Sequence, residues 1–301
     1  MDDSLGSRLT RWRAPVGASP GDGVGLVMRH PRFPAAARRL SQNMLAITRN
    51  NASLDAIVKD AGRFAATGLA VHLHATGGLT LPRLKEVCAS TTFISPGRAR
   101  AILLFLRFLR YVEPAGGRPA LYVPTGELLD AWHTLMRAAT EAAETVEPAM
   151  TLISNRLADR AFMLDFMRVQ GALALATLDS GPKDNAFWRV VLNRHAGMQL
   201  MHHLMLAVPD TGAYPPEEPI AYSAAELARV LRVSRPHIAR LIKAGEREGL
   251  FASDTEGRVS LLAPARHDIG LVIALRLWAA LRTAAQLHTD RDAPRVSEVS
   301  V

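Results

Sequence analysis

The sequence holds one cysteine, Cys88, in 301 residues. That excludes an intrachain disulfide and a cysteine-based zinc site. Lysine is also scarce. Only Lys59, Lys85, Lys183 and Lys243 occur, so arginine carries nearly all of the formal net charge of +8. No apolar run reaches the length of a membrane span, and the run GLVIALRLWAALR is broken by Arg276 and Arg282. The first residues lack the apolar segment of a signal peptide. No P-loop, nucleophile elbow or zinc-protease motif is present, and Gly21-Asp22-Gly23-Val24-Gly25 does not have the dinucleotide spacing. These absences lead us to expect a cytoplasmic protein that is not an enzyme and needs no cofactor or metal.

What is present is a large apolar fraction, 49%, with a basic balance. The first is ample for a sizeable core, and the second favours nucleic acid or another polyanion as partner. The most informative stretch is Tyr222 to Pro264. Ser223 and Glu226 form an S-x-x-E capping box at a helix start. Leu227, Val230 and Leu231 give that helix an apolar face. Arg232 and Val233 make a turn, and Ser234 caps a second helix with Pro236 in its first turn. Ile238, Leu241 and Ile242 point inward at helical spacing. Arg235, His237, Arg240, Lys243 and Arg247 remain on the outer faces. Gly249 stands where a helix ends. Leu250-Phe251 and Val259 to Leu262 read as strands around the turn Asp254 to Arg258. The order is that of a winged helix-turn-helix, whose second helix fits the DNA major groove.

A second copy of this pattern stands earlier. Leu79 to Ser90 reads as a short helix, and Ser95-Pro96 starts a long one through Arg110. Tyr111 to Pro114 and Ala120 to Val123 read as strands. Leu84-x-x-Val87 aligns with Leu227-x-x-Val230. Gly117-Arg118-x-x-Leu121-x-x-Pro124 aligns with Gly257-Arg258-x-x-Leu261-x-x-Pro264. A long helix follows each wing, and two helices precede each unit, with Asn51-Ala52 and Asn185-Ala186 at matching starts. The predicted fold is mainly α: two winged helix-turn-helix units with flanking long helices, related by an internal pseudo-twofold duplication. Residues 1–30 read as a flexible basic arm, 31–146 as the first half, 147–156 as a linker, 157–288 as the second half and 289–301 as a tail.

Helix, winged helix-turn-helix and closing helix in this order, with the wing-like Thr255-Glu256-Gly257-Arg258-Val259-Ser260-Leu261-Leu262, resemble the MarR family of bacterial regulators. Ala263-Pro264 departs from that family's wing ending, and the first copy shares only the element pattern. The resemblance implies a fused pseudo-dimer that binds double-stranded DNA, with further homodimerisation left open. The residues expected at DNA are Arg235, His237, Arg240 and Lys243 in the second unit and Arg98 and Arg100 in the first, with Arg258 and Arg118 on the wings. Leu104, Phe105 and Phe108 make the first unit's long helix apolar nearly all round, and so its far half is expected to be buried. Met163, Met167, Met198, Met201 and Met205 on the central helices suit an irregular core, or a pocket for a small apolar or aromatic effector near Met198, Met201 or Trp188. His72, His74, His195, His202 and His203 lack metal-site spacing, although His195 and His202 would share a helix face. Cys88 reads as a packed thiol. Two other readings stay open: a tandem winged-helix plasmid replication initiator, and a winged-helix interaction module that binds no DNA.

Overall fold

A computed structural model describes residues 8–13, 20–91, 94–179, 185–207 and 214–292. The chain is mainly α-helical with small antiparallel sheets. Helices α1 (Pro20–Met28), α2 (Phe33–Asn50), α3 (Ala52–Ile57) and α4 (Ala61–Ala75) come first. Strand β1 (Leu79–Thr80) leads into α5 (Leu81–Ser90), α6 (Pro96–Phe108), the hairpin β2 (Val112–Gly116) and β3 (Leu121–Pro124), and α7 (Gly126–Ala143). Helices α8 (Met150–Arg156) and α9 (Arg160–Asp179) follow. Next come a π-helix (Trp188–Leu192) and α10 (Gly197–Leu206). Helices α11 (Ala224–Val230) and α12 (Arg235–Arg247) lead to the hairpin β4 (Phe251–Ser253) and β5 (Val259–Leu261), and α13 (Ala263–Asp292) closes the chain. Among the described residues no helix is long and apolar enough to cross a membrane.

Local chemistry sets many of these boundaries. Asn51, Asp60, Thr80, Ser95, Thr125, Ser223 and Ser234 each accept a hydrogen bond from the N–H three residues on. Such a cap is worth about 1 kcal/mol. Asn185 does the same for Trp188 at 3.0 Å. Helices α6 and α12 end alike. Arg110 (φ 57°) and Gly249 (φ 67°) turn left-handed, and the next N–H returns to the helix: Tyr111 N to Leu106 O, and Leu250 N to Gly245 O. That closure satisfies a carbonyl the helix leaves free.

The hairpins occur where expected, but their register corrects the sequence alignment. Val112 faces Pro124, whereas Phe251 faces Leu261. Leu79 pairs with Tyr122, whereas Ile220 pairs with Val259. Pro124 is therefore level with Leu261, not with Pro264. The matching Gly-Arg, Leu and Pro letters therefore do not occupy equivalent ladder positions, and the first hairpin also carries a bulge between Pro114 and Gly116.

The core is built by reciprocal helix packing. Helix α2 packs on α7 and α10, α9 packs on α13 and α4, and α7 packs on α13. Trp132, Phe166 and Phe187 are among its largest fully buried side chains.

The structure differs from four expectations. Within the segment expected to be a flexible arm, Leu9, Trp12, Val24 and Val27 are buried. Arg8 and Arg11 pair with the buried carboxylate of Glu147, to which Trp12 Nε1 also donates. Helix α1 lies on α13, and at Gly23 an added Cβ would sit 2.1 Å from Trp278 Nε1. Here the glycine permits close packing. Residues 147–156, expected as a linker, hold Glu147 and helix α8, with Met150 and Ile153 buried. The helix expected to start at Asn185-Ala186 and to carry both His195 and His202 is broken between Leu192 and Gly197. There Ala196 is left-handed (φ 64°) and the Gly197 backbone lies against the Val191 carbonyl. His195 falls in the break and His202 on α10, so they share no helix face. The expected tail, 289–301, is helical to Asp292, and its remainder lies outside the described residues.

Candidate functional site

Helix α12 presents a cationic surface. Ile238, Leu241, Ile242 and Gly245 are buried, which leaves Arg235, Arg240, Lys243 and Arg247 exposed. None of these four has a carboxylate partner among the described residues. Arg240 Nε donates to Pro236 O at 3.2 Å, and Arg247 Nε to Lys243 O at 3.3 Å. The helix's acids are engaged sideways: Glu246 accepts from Ser253 Oγ, and Glu248 pairs with Arg189 at 3.0 Å. The outward field of α12 is therefore positive.

His237 is less available than expected. Its Nε2 meets the His195 carbonyl at 2.7 Å, and the two rings stand edge to face at 5.8 Å. Arg98 behaves likewise. It is the third residue after its cap, as His237 is, and its guanidinium turns inward to Asp60 at 2.6 Å. Both side chains tie their helix to the break in a preceding helix, which removes Arg98 and His237 from the exposed cationic surface. Arg258 is also engaged, with Asp254 at 2.7 Å and Glu256 at 3.2 Å. The Arg258 hydrogen bond holds the Asp254 carboxyl below its usual range. Arg100 on α6 and Arg118 at the first hairpin's tip are exposed without a carboxylate partner among the described residues.

The far half of α6 is not buried as expected. Leu104 is 49% and Phe108 81% exposed, beside exposed Arg100 and Arg107. Phe105 is half-buried under Arg63, whose guanidinium lies 5.1 Å from its ring centroid.

The turn before α12 is clamped to the first half of the chain. Arg232, in a left-handed conformation (φ 53°), reaches Asp55 at 3.6 Å. Buried Lys59 pairs with Asp55 at 2.9 Å and donates to Leu231 O at 2.5 Å. Gln199 Nε2 also donates to Asp55. This polar group was not legible in the sequence, because its members lie on α3, the α3–α4 connection, α10 and the α11–α12 turn.

A cavity of about 200 Å³ lies between α4, α7, α9, α13 and the π-helix. Its walls include Phe64, Trp132, Met136, Met167, Trp188 and Arg276. Met198 also lines it, as expected, whereas Met201 is in the core. One side of the π-helix thus faces the cavity through Trp188 and Leu192, and the other packs on α12. π-Helical turns are frequent at functional sites. Arg276 was visible in the sequence only as an interruption of an apolar run. Its place in the middle of the apolar run from Ile269 to Ala280 was the signal that could have found it.

Among the described residues no cluster of histidine, cysteine or carboxylate groups could hold a metal. Cys88 is buried, which pushes its thiol up to about 12. No protein-family model, curated protein or solved structure matches the chain.

Proposed function

We propose that this chain is a sequence-specific, double-stranded-DNA-binding transcriptional regulator with two winged-helix units in one polypeptide. Helix α12 is its main reading element. The observation that carries this reading is the exposed, carboxylate-free row Arg235, Arg240, Lys243 and Arg247 on a capped helix. Phosphate contacts from such a row position a helix in the major groove, and arginines near its start read base edges. Arg118 and Arg100 add phosphate contacts from the first unit.

The pseudo-twofold reading draws support from packing. Exchanging α2 with α9, α4 with α10 and α7 with α13 turns the α2–α7 contact into α9–α13. It also turns α2–α10 into α9–α4 and leaves α7–α13 unchanged. Asn51 and Asn185 cap matching starts, and Arg98 and His237 make matching inward contacts. The MarR-like character proposed from the sequence extends to an effector, a small apolar or aromatic molecule in the central cavity. Filling the cavity bears on Trp188 and Leu192, and through the π-helix on α12. A ligand shifts such an equilibrium only by its differential affinity for the two arrangements.

The exposed Leu104 and Phe108 favour a second role for the first unit, in which α6 contacts protein as well as phosphate. Selection of bound duplexes from a random pool tests the proposal. The expected outcome is one well-defined half-site, assigned to α12, beside a weakly specified one. Recovery of no enriched sequence refutes it.

A further inference from the structure

The central cavity is apolar except at a few points, and one of them is a cation. Arg276 reaches it from α13, with its guanidinium carbon 4.4 Å from the centroid of the Phe64 ring. Its Nη1 and Nη2 are buried and have no hydrogen-bond partner among the described residues. Buried Lys59, by contrast, has both Asp55 and a carbonyl. Among the described residues no aspartate or glutamate lines the cavity; Gln170, Thr177 and Arg276 are its polar residues. His202 is nearby, but burial, reinforced by Arg276, pushes its imidazole down to about 3, so it is neutral. Burial lowers the guanidinium only to about 10, so it stays charged at neutral pH. A buried charge without a partner is costly, and a planar guanidinium matches a carboxylate in geometry.

We propose that the cavity binds a small apolar monocarboxylate, with its ring or chain among Phe64, Trp132, Met136, Met167 and Trp188 and its carboxylate on Arg276. With one cation among the lining residues, the cavity offers charge pairing to one anionic group. Size agrees: an apolar cavity of roughly 150 Å³ accepts benzene, so this one has room for a ring with a short acid chain. The inference rests on the effector part of the proposed function and not on DNA binding.

The test uses the full chain with 3-phenylpropanoate and its uncharged isostere 3-phenylpropanamide. Binding is read by calorimetry and by intrinsic tryptophan fluorescence, since Trp132, Trp188 and Trp278 line the cavity. The wild type is expected to bind the acid about tenfold or more tightly than the amide, the scale of a charge-assisted hydrogen bond. Arg276→Met is expected to bind the two alike. The acid-to-amide ratio in the wild type is decisive by itself if the variant fails to fold. Equal affinity for both compounds overturns the head-group assignment but leaves the cavity as an effector site. Binding of neither overturns the assignment and the effector reading together. An acid preference that survives in a folded Arg276→Met also overturns the assignment. DNA selection is a separate assay, so failure of the DNA reading is recognised independently.

Discussion

Arg240 and Arg98 were both expected at DNA from the sequence, yet the structure gives them opposite surroundings, so their alanine variants should separate. Arg240 is exposed two turns into α12, and only its Nε is engaged, on Pro236 O. Its remaining donors are free for a base edge or a phosphate. Losing a bidentate base contact costs about 1–3 kcal/mol. At about 1.4 kcal/mol per decade, that is roughly 5- to 150-fold in affinity for the selected site. Stability should hardly change, since no folded-state ion pair is lost. Arg98 is held on Asp60 at 2.6 Å, with its side chain 33% exposed. In Arg98→Ala, Asp60 keeps its bond from Arg63 N at 2.8 Å and its ion pair with Arg63 at 3.3 Å. The loss is therefore partial, about 1 kcal/mol of folding stability after allowing for solvent screening. Affinity for DNA should change little. Fluorescence anisotropy on the selected duplex and urea unfolding of each variant give the needed comparison. If Arg98→Ala weakens specific binding as much as Arg240→Ala while leaving stability intact, the inward assignment of Arg98 is wrong.

Other variants probe the scaffold. At Gly197 an added Cβ would lie 1.7 Å from the Val191 carbonyl oxygen, so Gly197→Ala should cost at least about 2 kcal/mol, read as a lower Tm. Lys59→Met should cost about 3 kcal/mol, since Asp55 loses its buried cation and keeps only Gln199 and half-exposed Arg232, and should speed hydrogen exchange at residues 231–234; unchanged exchange there would show that the clamp does not hold the turn. The buried His202 is pushed down to about 3, so its unfolded form binds the extra proton. Its contribution to stability is complete above pH ~6.5 and is lost as pH falls toward the folded value. The slope is about 1.4 kcal/mol per pH unit for that group. His30, His72, His74, His133, His195 and His203 are lowered by burial too and act in the same direction. Urea midpoints measured from pH 8 to 5 should fall, and His202→Gln should flatten the dependence; an unchanged slope would remove His202 from this account.

What the sequence made legible was local. Ser223, Ser234 and Ser95 marked helix starts, and Gly249 a helix end, because cap chemistry acts within a few residues. The amphipathic pattern of α12 separated buried Ile238 and Leu241 from exposed Arg240 for the same reason. What stayed hidden depends on neighbours distant in sequence. Glycines in Pro20–Met28 read as flexibility, whereas Gly23 admits the Trp278 ring, and packing rather than propensity holds that helix. Arg98 and His237 look like any outward cap-proximal side chains until Asp60 and the His195 carbonyl come beside them. The Gly-Arg, Leu and Pro letters of the two hairpins agreed in sequence, yet they stand at different ladder positions, which no letter comparison detects. Arg276 was visible as a charge in an apolar run, but its lack of a partner needed the fold.

The central claim is that α12 reads sequence on double-stranded DNA. Its most direct test is a salt series of anisotropy titrations on the selected duplex and on a scrambled one of the same composition. The account predicts that the selected site binds about a thousandfold or more tightly. Affinity on both should fall as salt rises, by about 0.9 of a log–log slope unit per phosphate contact. Arg240→Ala should narrow the gap between the two duplexes, while Lys243→Ala should weaken both and reduce the slope by about one unit. Equal affinity for the two duplexes, or no salt-dependent affinity at all, would contradict the claim.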